Sequence, residues 1–256
     1  MKTKLMITML SVLMIMALIG CAGEDSLGKD KVPPTAPTLI PHLGDTGDPA
    51  VSYNGQSVYL NDENNGIDTV PDGDWIKISW MPFIDNDLSH LKIFRYDEFN
   101  TESVLIDSIS SSNTQYVDNS SLTVQTRYSY FIELVDFTGN STLSDTVSYA
   151  LLSKVNLVSP EAGSTVQANN VTFQWYRSGF ASKYRVIVFN QNYEYVWHQD
   201  LDVAFEEDLL SMRFPVNLGQ DYVGQTMRWR VDALEMDNEL GVYIGSESYE
   251  RTMHVQ

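Results

Sequence analysis

The chain has 256 residues, 43% of them hydrophobic and 20% charged, with 34 acidic residues against 16 basic ones and a single cysteine. At roughly 100 to 150 residues per domain, this length suggests two domains, each able to bury a core without disulfides or metal. A formal charge of -18 at pH 7 repels phosphate backbones and argues against nucleic acid as a partner. One cysteine excludes an internal disulfide and any multi-cysteine zinc or iron-sulfur site.

In chain order, Lys2 and Lys4 form a short basic head, and Leu5 to Ile19 is apolar apart from Thr8 and Ser11. This is the layout of a secretory signal. As a helix those residues span about 22 Å at 1.5 Å per residue, short of the roughly 30 Å hydrocarbon core, so a permanent transmembrane helix is disfavoured. The run ends in Leu18-Ile19-Gly20-Cys21, which resembles the lipobox of bacterial lipoproteins. That resemblance implies cleavage before Cys21 and lipidation of its thiol, leaving the chain anchored to a membrane without spanning it. Removing residues 1–20 takes away two lysines and shifts the formal charge to -20. By the same resemblance Ala22 after the cysteine implies the outer membrane, and Glu24-Asp25 loosely resembles an acidic surface tag; whether the protein faces the periplasm or the exterior stays open. Ala22 to Thr35 mixes Gly, Pro and both charges and reads as a tether, about 45 Å long when fully extended.

Beyond the tether, apolar residues recur at short range in segments rich in Val, Ile, Tyr, Phe and Trp, separated by turn clusters such as Asn54-Gly55 and Thr138-Gly139-Asn140. The pattern predicts an all-β chain; only Val203 to Met212 hints at a turn or two of helix. Two internal segments align with each other. In the first, Trp75 to Trp80 is followed by His90 to Tyr96 and Thr126 to Val135; in the second, Val171 to Trp175 precedes Tyr184 to Phe189 and Thr226 to Ala233. Such spacing predicts two seven-stranded sandwiches of paired antiparallel sheets, residues 36–151 and 152–256, joined near Ala150 to Lys154.

Both units resemble fibronectin type III domains of the immunoglobulin-like class. The resemblance places Trp80 and Trp175 on the B strands, at the centre of each core. It makes Tyr128 the corner tyrosine bonding back to the backbone, and Asp136 to Ser141 the turn between strands F and G. In the second unit Met227 occupies the corner position, where no such bond is expected. Patterned aromatics and turns of this kind speak to fold, not to activity.

Chemistry is sparse. His42, His90, His198 and His254 form no i, i+4 pair or HExxH arrangement, and there is no Gly-x-Ser-x-Gly elbow or phosphate-binding glycine loop. Glu206-Glu207-Asp208 reads as a solvated run. The expectation is a chain without catalytic residues.

Three features remain. Residues 33–151 carry 17 acids against 4 bases, and 152–256 carry 14 against 8, so the acidity is concentrated in the first unit. Within it Asn61, Glu63 and Asn65 place oxygen donors at alternate positions before Gly66, a pattern open to calcium or to a plain Asx-rich loop. Second, the first unit spends nearly forty residues between Thr38 and Trp75, and Val51 to Tyr59 reads as a hairpin on an Asn-Gly turn, either a recognition site or an extra edge pair. Third, Tyr193, Tyr195 and Trp197 alternate, so in a strand they would share one face, exposed for stacking on a sugar or partner protein, or buried as core.

The sequence-based expectation is a lipid-anchored, non-catalytic envelope protein for binding, adhesion or spacing, with no cofactor unless calcium binds. Alternatives are a glycan-binding accessory of a polysaccharide-utilisation system, using the aromatic row, and a hydrolase of unrecognised type.

Overall fold

The computed structural model describes residues 30–58, 73–203, 208–239 and 241–256. The leader, Cys21, the Asn61, Glu63 and Asn65 loop, and Glu206-Glu207 lie outside the described residues.

In the first unit β1 (Leu39–Ile40), β4 (Ile76–Trp80) and β7 (Gln115–Asp118) form an antiparallel sheet in the order β1-β4-β7. Opposite lies a sheet of β5 (Leu88–Asp97), β6 (Val104–Ser110), β8 (Arg127–Asp136) and β10 (Val147–Ala150), ordered β10-β8-β5-β6, with β9 (Ser141–Leu143) also against β8. The strands form because their apolar residues alternate: on β8 Tyr128, Tyr130, Ile132 and Leu134 point into the core. Trp80 fills the centre, and its Nε1–H donates to the Asn113 carbonyl at 2.9 Å. The corner is present, with the Thr123 N–H donating to the Tyr128 hydroxyl oxygen at 2.9 Å.

The second unit repeats the plan. Strands β11 (Asn156–Ser159), β13 (Thr172–Tyr176) and β16 (Leu209–Arg213) form one sheet. The other contains β14 (Lys183–Asn190), β15 (Tyr195–Asp202), β17 (Thr226–Asp237) and β19 (Arg251–Val255), ordered β19-β17-β14-β15. Here β18 (Val242–Glu247) also pairs with β17, and β12 (Ser164–Val166) runs parallel to β19. Phe173, Trp175, Val186, Val188, Trp229 and Val231 are all buried in its core, each fully buried side chain of this kind stabilising by about 1.5–3 kcal/mol.

Two expectations change. The helical hint at Val203 to Met212 is not met where the chain is described: Leu209–Arg213 is strand, with Leu210 and Met212 buried and Leu209, Ser211 and Arg213 exposed, a period of two. The one described helix, α1 (Val216–Asp221), lies later. The tether is also shorter than read. From Asp30 onward the chain lies along the first sandwich, where carbonyls of Asp30, Val32 and Pro34 accept hydrogen bonds from side chains of Thr138, Asn140 and Thr142. Pro34 is buried, because an extended proline segment needs no donor of its own to run beside an edge. Among the described residues no helix is long and apolar enough to cross a membrane.

Candidate functional site at the joint of the two sandwiches

The insertion between β1 and β4 holds the hairpin β2 (Val51–Tyr53) and β3 (Gln56–Val58), turning on Asn54 and Gly55 with φ of 47° and 77°. It joins neither sandwich sheet, so it is not an extra edge pair; Tyr53 anchors it by donating to the Leu39 carbonyl at 3.0 Å.

The segment before it, residues 43–48, does something the sequence did not announce: it lies across the outer face of the second sandwich. We call it the clasp. A local Asx turn shapes it, with the Asp48 N–H donating to the Asp45 carbonyl and the Asp45 N–H donating to Asp48 Oδ2, both at 2.9 Å. Gly47 sits at φ +90°, and a Cβ there would come within 2.3 Å of His198 Nδ1 and 2.9 Å of Tyr195 Cε2. Only glycine permits both that backbone and that approach.

Beneath the clasp a row of charge crosses the sheet. Register places Asp200 on β15 beside Arg185 on β14, Arg185 beside Asp232 on β17, and Asp232 beside Glu247 on β18. Arg185 grips Asp200 through both Nε (2.6 Å) and Nη2 (3.0 Å), a bidentate fork, and its Nη1 donates to Asp48 Oδ1 (2.9 Å) and to the Thr46 carbonyl (3.1 Å). Arg230, two residues before Asp232 on the same face, binds Asp232 Oδ1 at 3.1 Å, Glu247 Oε1 at 2.5 Å and Thr46 Oγ1 at 3.1 Å. Its guanidinium also lies 5.5 Å from the centre of the Phe189 ring. Thr46, Asp232 and Glu247 have no exposed surface, and Arg230 has 1%.

Burial and charge set the titration of these groups. For Asp200, burial pushes the carboxyl up, but Arg185 and Lys183 outweigh it and hold the pKa down to about 2. Asp232 behaves oppositely: burial, with the nearby Asp45 charge adding to it, lifts its pKa well above the carboxylate range against the pull of Arg230 and Arg185. Burial and the Arg185 charge lower His198, leaving it neutral near pH 7.

Two further ties close the joint. Leu152 N–H donates to the Gly245 carbonyl at 2.9 Å, so the buried linker Leu151-Leu152 extends alongside β18. Arg127 at the start of β8 bridges to Asp237 (2.7 Å) at the end of β17 and to Glu239 (2.9 Å) just after it. Between clasp and sheet lies a cavity of about 290 Å³ lined by Leu43, Asp48, Lys183, Met236 and Tyr243, with the Lys183 ammonium 5.1 Å from the Tyr243 ring centre.

The aromatic row does not form as one face. A bulge opposite Val188 and Phe189 pairs Phe189 with Tyr195 and Val188 with Trp197, which puts Val196 out of register and turns Trp197 inward. Trp197 packs on Phe173 (6.3 Å) and edge-on to Phe214 (5.3 Å). Tyr195 faces outward, its hydroxyl 2.6 Å from His198 Nδ1, under the edge of the clasp. Tyr193 sits in the preceding turn at φ 62°, half-exposed, with Arg228 4.3 Å above its ring.

One acidic group among the described residues has the spacing of a metal site: carboxylate oxygens of Asp30, Asp87 and Asp136 lie within 4.8 Å of one another. Asp136 is buried, and its oxygens accept from the N–H groups of Thr138 and Asn140 and from both of those side chains, which holds its pKa down and shapes the turn between β8 and β9.

In both units a three-stranded sheet, β1-β4-β7 or β11-β13-β16, faces a larger sheet with the matching order β10-β8-β5-β6 or β19-β17-β14-β15. This makes the protein all-β, two tandem antiparallel sandwiches of the fibronectin type III, immunoglobulin-like type. The chain matches no protein-family model and no curated protein sequence. Solved structures similar to it include the chicken CNTN1 FN1-FN3 domains, at 12% identity and TM-score 0.33, with 85% of this chain and 65% of that one covered, just under two thirds of its length. A two-domain fibronectin type III segment of chicken tenascin is similar at 10% identity and TM-score 0.26, over 70% and 89% of the two chains. Pectate lyase Pel3 from Pectobacterium carotovorum is similar over 40% of this chain and 32% of its own, at 18% identity and TM-score 0.27.

Proposed function

We propose that this is a non-catalytic, lipid-anchored protein of the cell envelope, best described by what its parts do mechanically: Cys21 fixes one end to the outer membrane, and two sandwiches locked at their joint hold a binding surface at a set distance and angle. The observation that supports the spacing role is the clasp, since a segment of the first sandwich buried on the second restrains swivelling that a bare linker permits. The glycan reading has lost its platform, because Trp197 belongs to the core and the three aromatics face different ways.

Metabolic labelling with a palmitate analogue tests the anchor: the wild-type chain takes up label and Cys21→Ser does not. An unlabelled wild-type chain overturns the anchoring. Small-angle X-ray scattering of the purified chain tests the spacer, and is expected to fit a single arrangement of the two sandwiches; a broad spread of interdomain angles overturns that part. Protease treatment of intact cells then decides between a periplasmic and an exterior face.

A further inference from the structure

The charges at the joint do not balance until a proton is added. Before the clasp arrives, the outer face of the second sandwich presents Asp200, Asp232 and Glu247. Against them stand Lys183 and Arg185 on β14 and Arg230 on β17, while Lys154 in the linker places its ammonium 3.0 Å from the Glu247 carbonyl. Three carboxylates therefore meet four cations. The clasp brings Asp45 and Asp48, together with Thr46, onto the same face. Five carboxylates then meet four cations, in a place where Asp45 is 3% exposed and Thr46, Asp232 and Glu247 not at all. His198 on β15, His42 beside the clasp, and the Tyr195 and Tyr243 phenols complete the titratable groups around the row.

Among the five, Asp232 is the poorest match for a charge. Asp200 is gripped by Arg185 and Lys183, Asp48 by Arg185, and Glu247 by Arg230, while Asp45 Oδ1 accepts its neighbour's N–H at 2.6 Å. Asp232 has one contact of 3.1 Å to Arg230 Nε, and its Oδ2, fully buried, accepts no hydrogen bond among the described residues. A carboxyl group so placed is more stable neutral.

We propose that docking of the clasp is coupled to retention of one proton by Asp232, so that the joint is a pH-sensitive latch that is tightest in acid and loosens as pH rises. The sign follows from linkage: the docked state binds a proton that the undocked state, with Asp45 and Asp48 withdrawn and water admitted, gives up more readily. Rising pH therefore favours undocking, by up to tenfold per pH unit between the undocked and docked titration points. The latch uses the same clasp as the spacing role and does not depend on the lipid anchor.

Hydrogen exchange measured by mass spectrometry on the full chain tests the latch. Exchange of the Asp45, Thr46 and Asp48 amides, divided by the intrinsic chemical rate at each pH, gives the opening equilibrium of the clasp. Between pH 5 and 9 that equilibrium is expected to rise, by up to tenfold per unit over part of the range, while amides of β13 show no such trend. In Asp232→Asn the rise should vanish, and in Asp45→Asn, which removes one of the charges the clasp brings, the total rise should shrink. Circular dichroism checks that both variants fold, and Asp45→Asn serves if Asp232→Asn does not. A flat profile in the wild type, the same rise in either variant, or a matching rise in β13 overturns the proposal.

Discussion

Arg230→Met is the most informative single change at the joint. Methionine keeps much of the side-chain stem but removes the positive charge in contact with Asp232 Oδ1 and Glu247 Oε1, and the donor to Thr46. Both carboxyl groups and the arginine are essentially without exposed surface, so the loss leaves the buried Glu247 charge uncompensated, at a cost of about 3–5 kcal/mol. That is a large share of the 5–15 kcal/mol that holds a typical domain together. At roughly 4 °C per kcal/mol for a unit near 100 residues, the second sandwich should melt about 12–20 °C lower. Adding Glu247→Leu removes the carboxylate the arginine served, and the double variant should recover at least about 2 kcal/mol relative to the sum of the singles. Urea unfolding followed by the fluorescence of Trp175 and Trp229 reads both quantities. A loss below about 1 kcal/mol in Arg230→Met, or additive single effects, refutes the view that this arginine is the counter-charge of buried Glu247.

Other outcomes follow from particular contacts. Asp200, whose folded pKa of about 2 lies below its ordinary value near 4, contributes stability that is fully present above about pH 4 and lost as pH falls through 2; acid titration of stability in Asp200→Asn should lack that limb. Gly47→Ala and Gly55→Ala share a left-handed backbone, which costs about 1–2 kcal/mol for any other residue, but only Gly47 has neighbours for a Cβ to strike. Faster amide exchange in the clasp is therefore expected for Gly47→Ala and not for Gly55→Ala. Tyr128→Phe strands the Thr123 N–H and should lower the stability of the first sandwich by about 1 kcal/mol, read from its urea midpoint. Trp197→Ala should cost roughly 3 kcal/mol, while Tyr193→Ala, at a half-exposed turn, should cost under about 1 kcal/mol; equal losses in thermal melts would contradict the inward turn of Trp197.

Strands were legible where one face is core and the other water. The alternation of Tyr128, Tyr130, Ile132 and Leu134 follows from that period of two, while the placing of Trp80 and Trp175 and the corner tyrosine came through the family resemblance. The joint was not legible, because its partners lie 139 to 184 residues apart and because Arg185, Arg230 and Asp232 occupy the positions that a period of two assigns to solvent. A signal was present nonetheless. On β14, Ile187 and Phe189 take that same outer face and are fully buried, so Tyr184 to Phe189 is apolar on both sides beyond Arg185. Such a run belongs to a strand covered twice. The bulge that splits Tyr195 from Trp197 was invisible because one extra residue inverts every face after it and leaves no mark in composition.

The clasp also imposes an order in time. The first sandwich is made first, with its hydrophobic core complete by residue 151, yet residues 43–48 have nothing to rest on until Arg185, Arg230, Asp232 and Glu247 have followed. At about 5–20 residues per second, the roughly 200 residues from Thr46 to Glu247 take on the order of 10–40 seconds to synthesise. For that interval the newborn chain carries Asp45 and Asp48 on an open loop, and the contact that closes it joins an early-made segment to a late-made one.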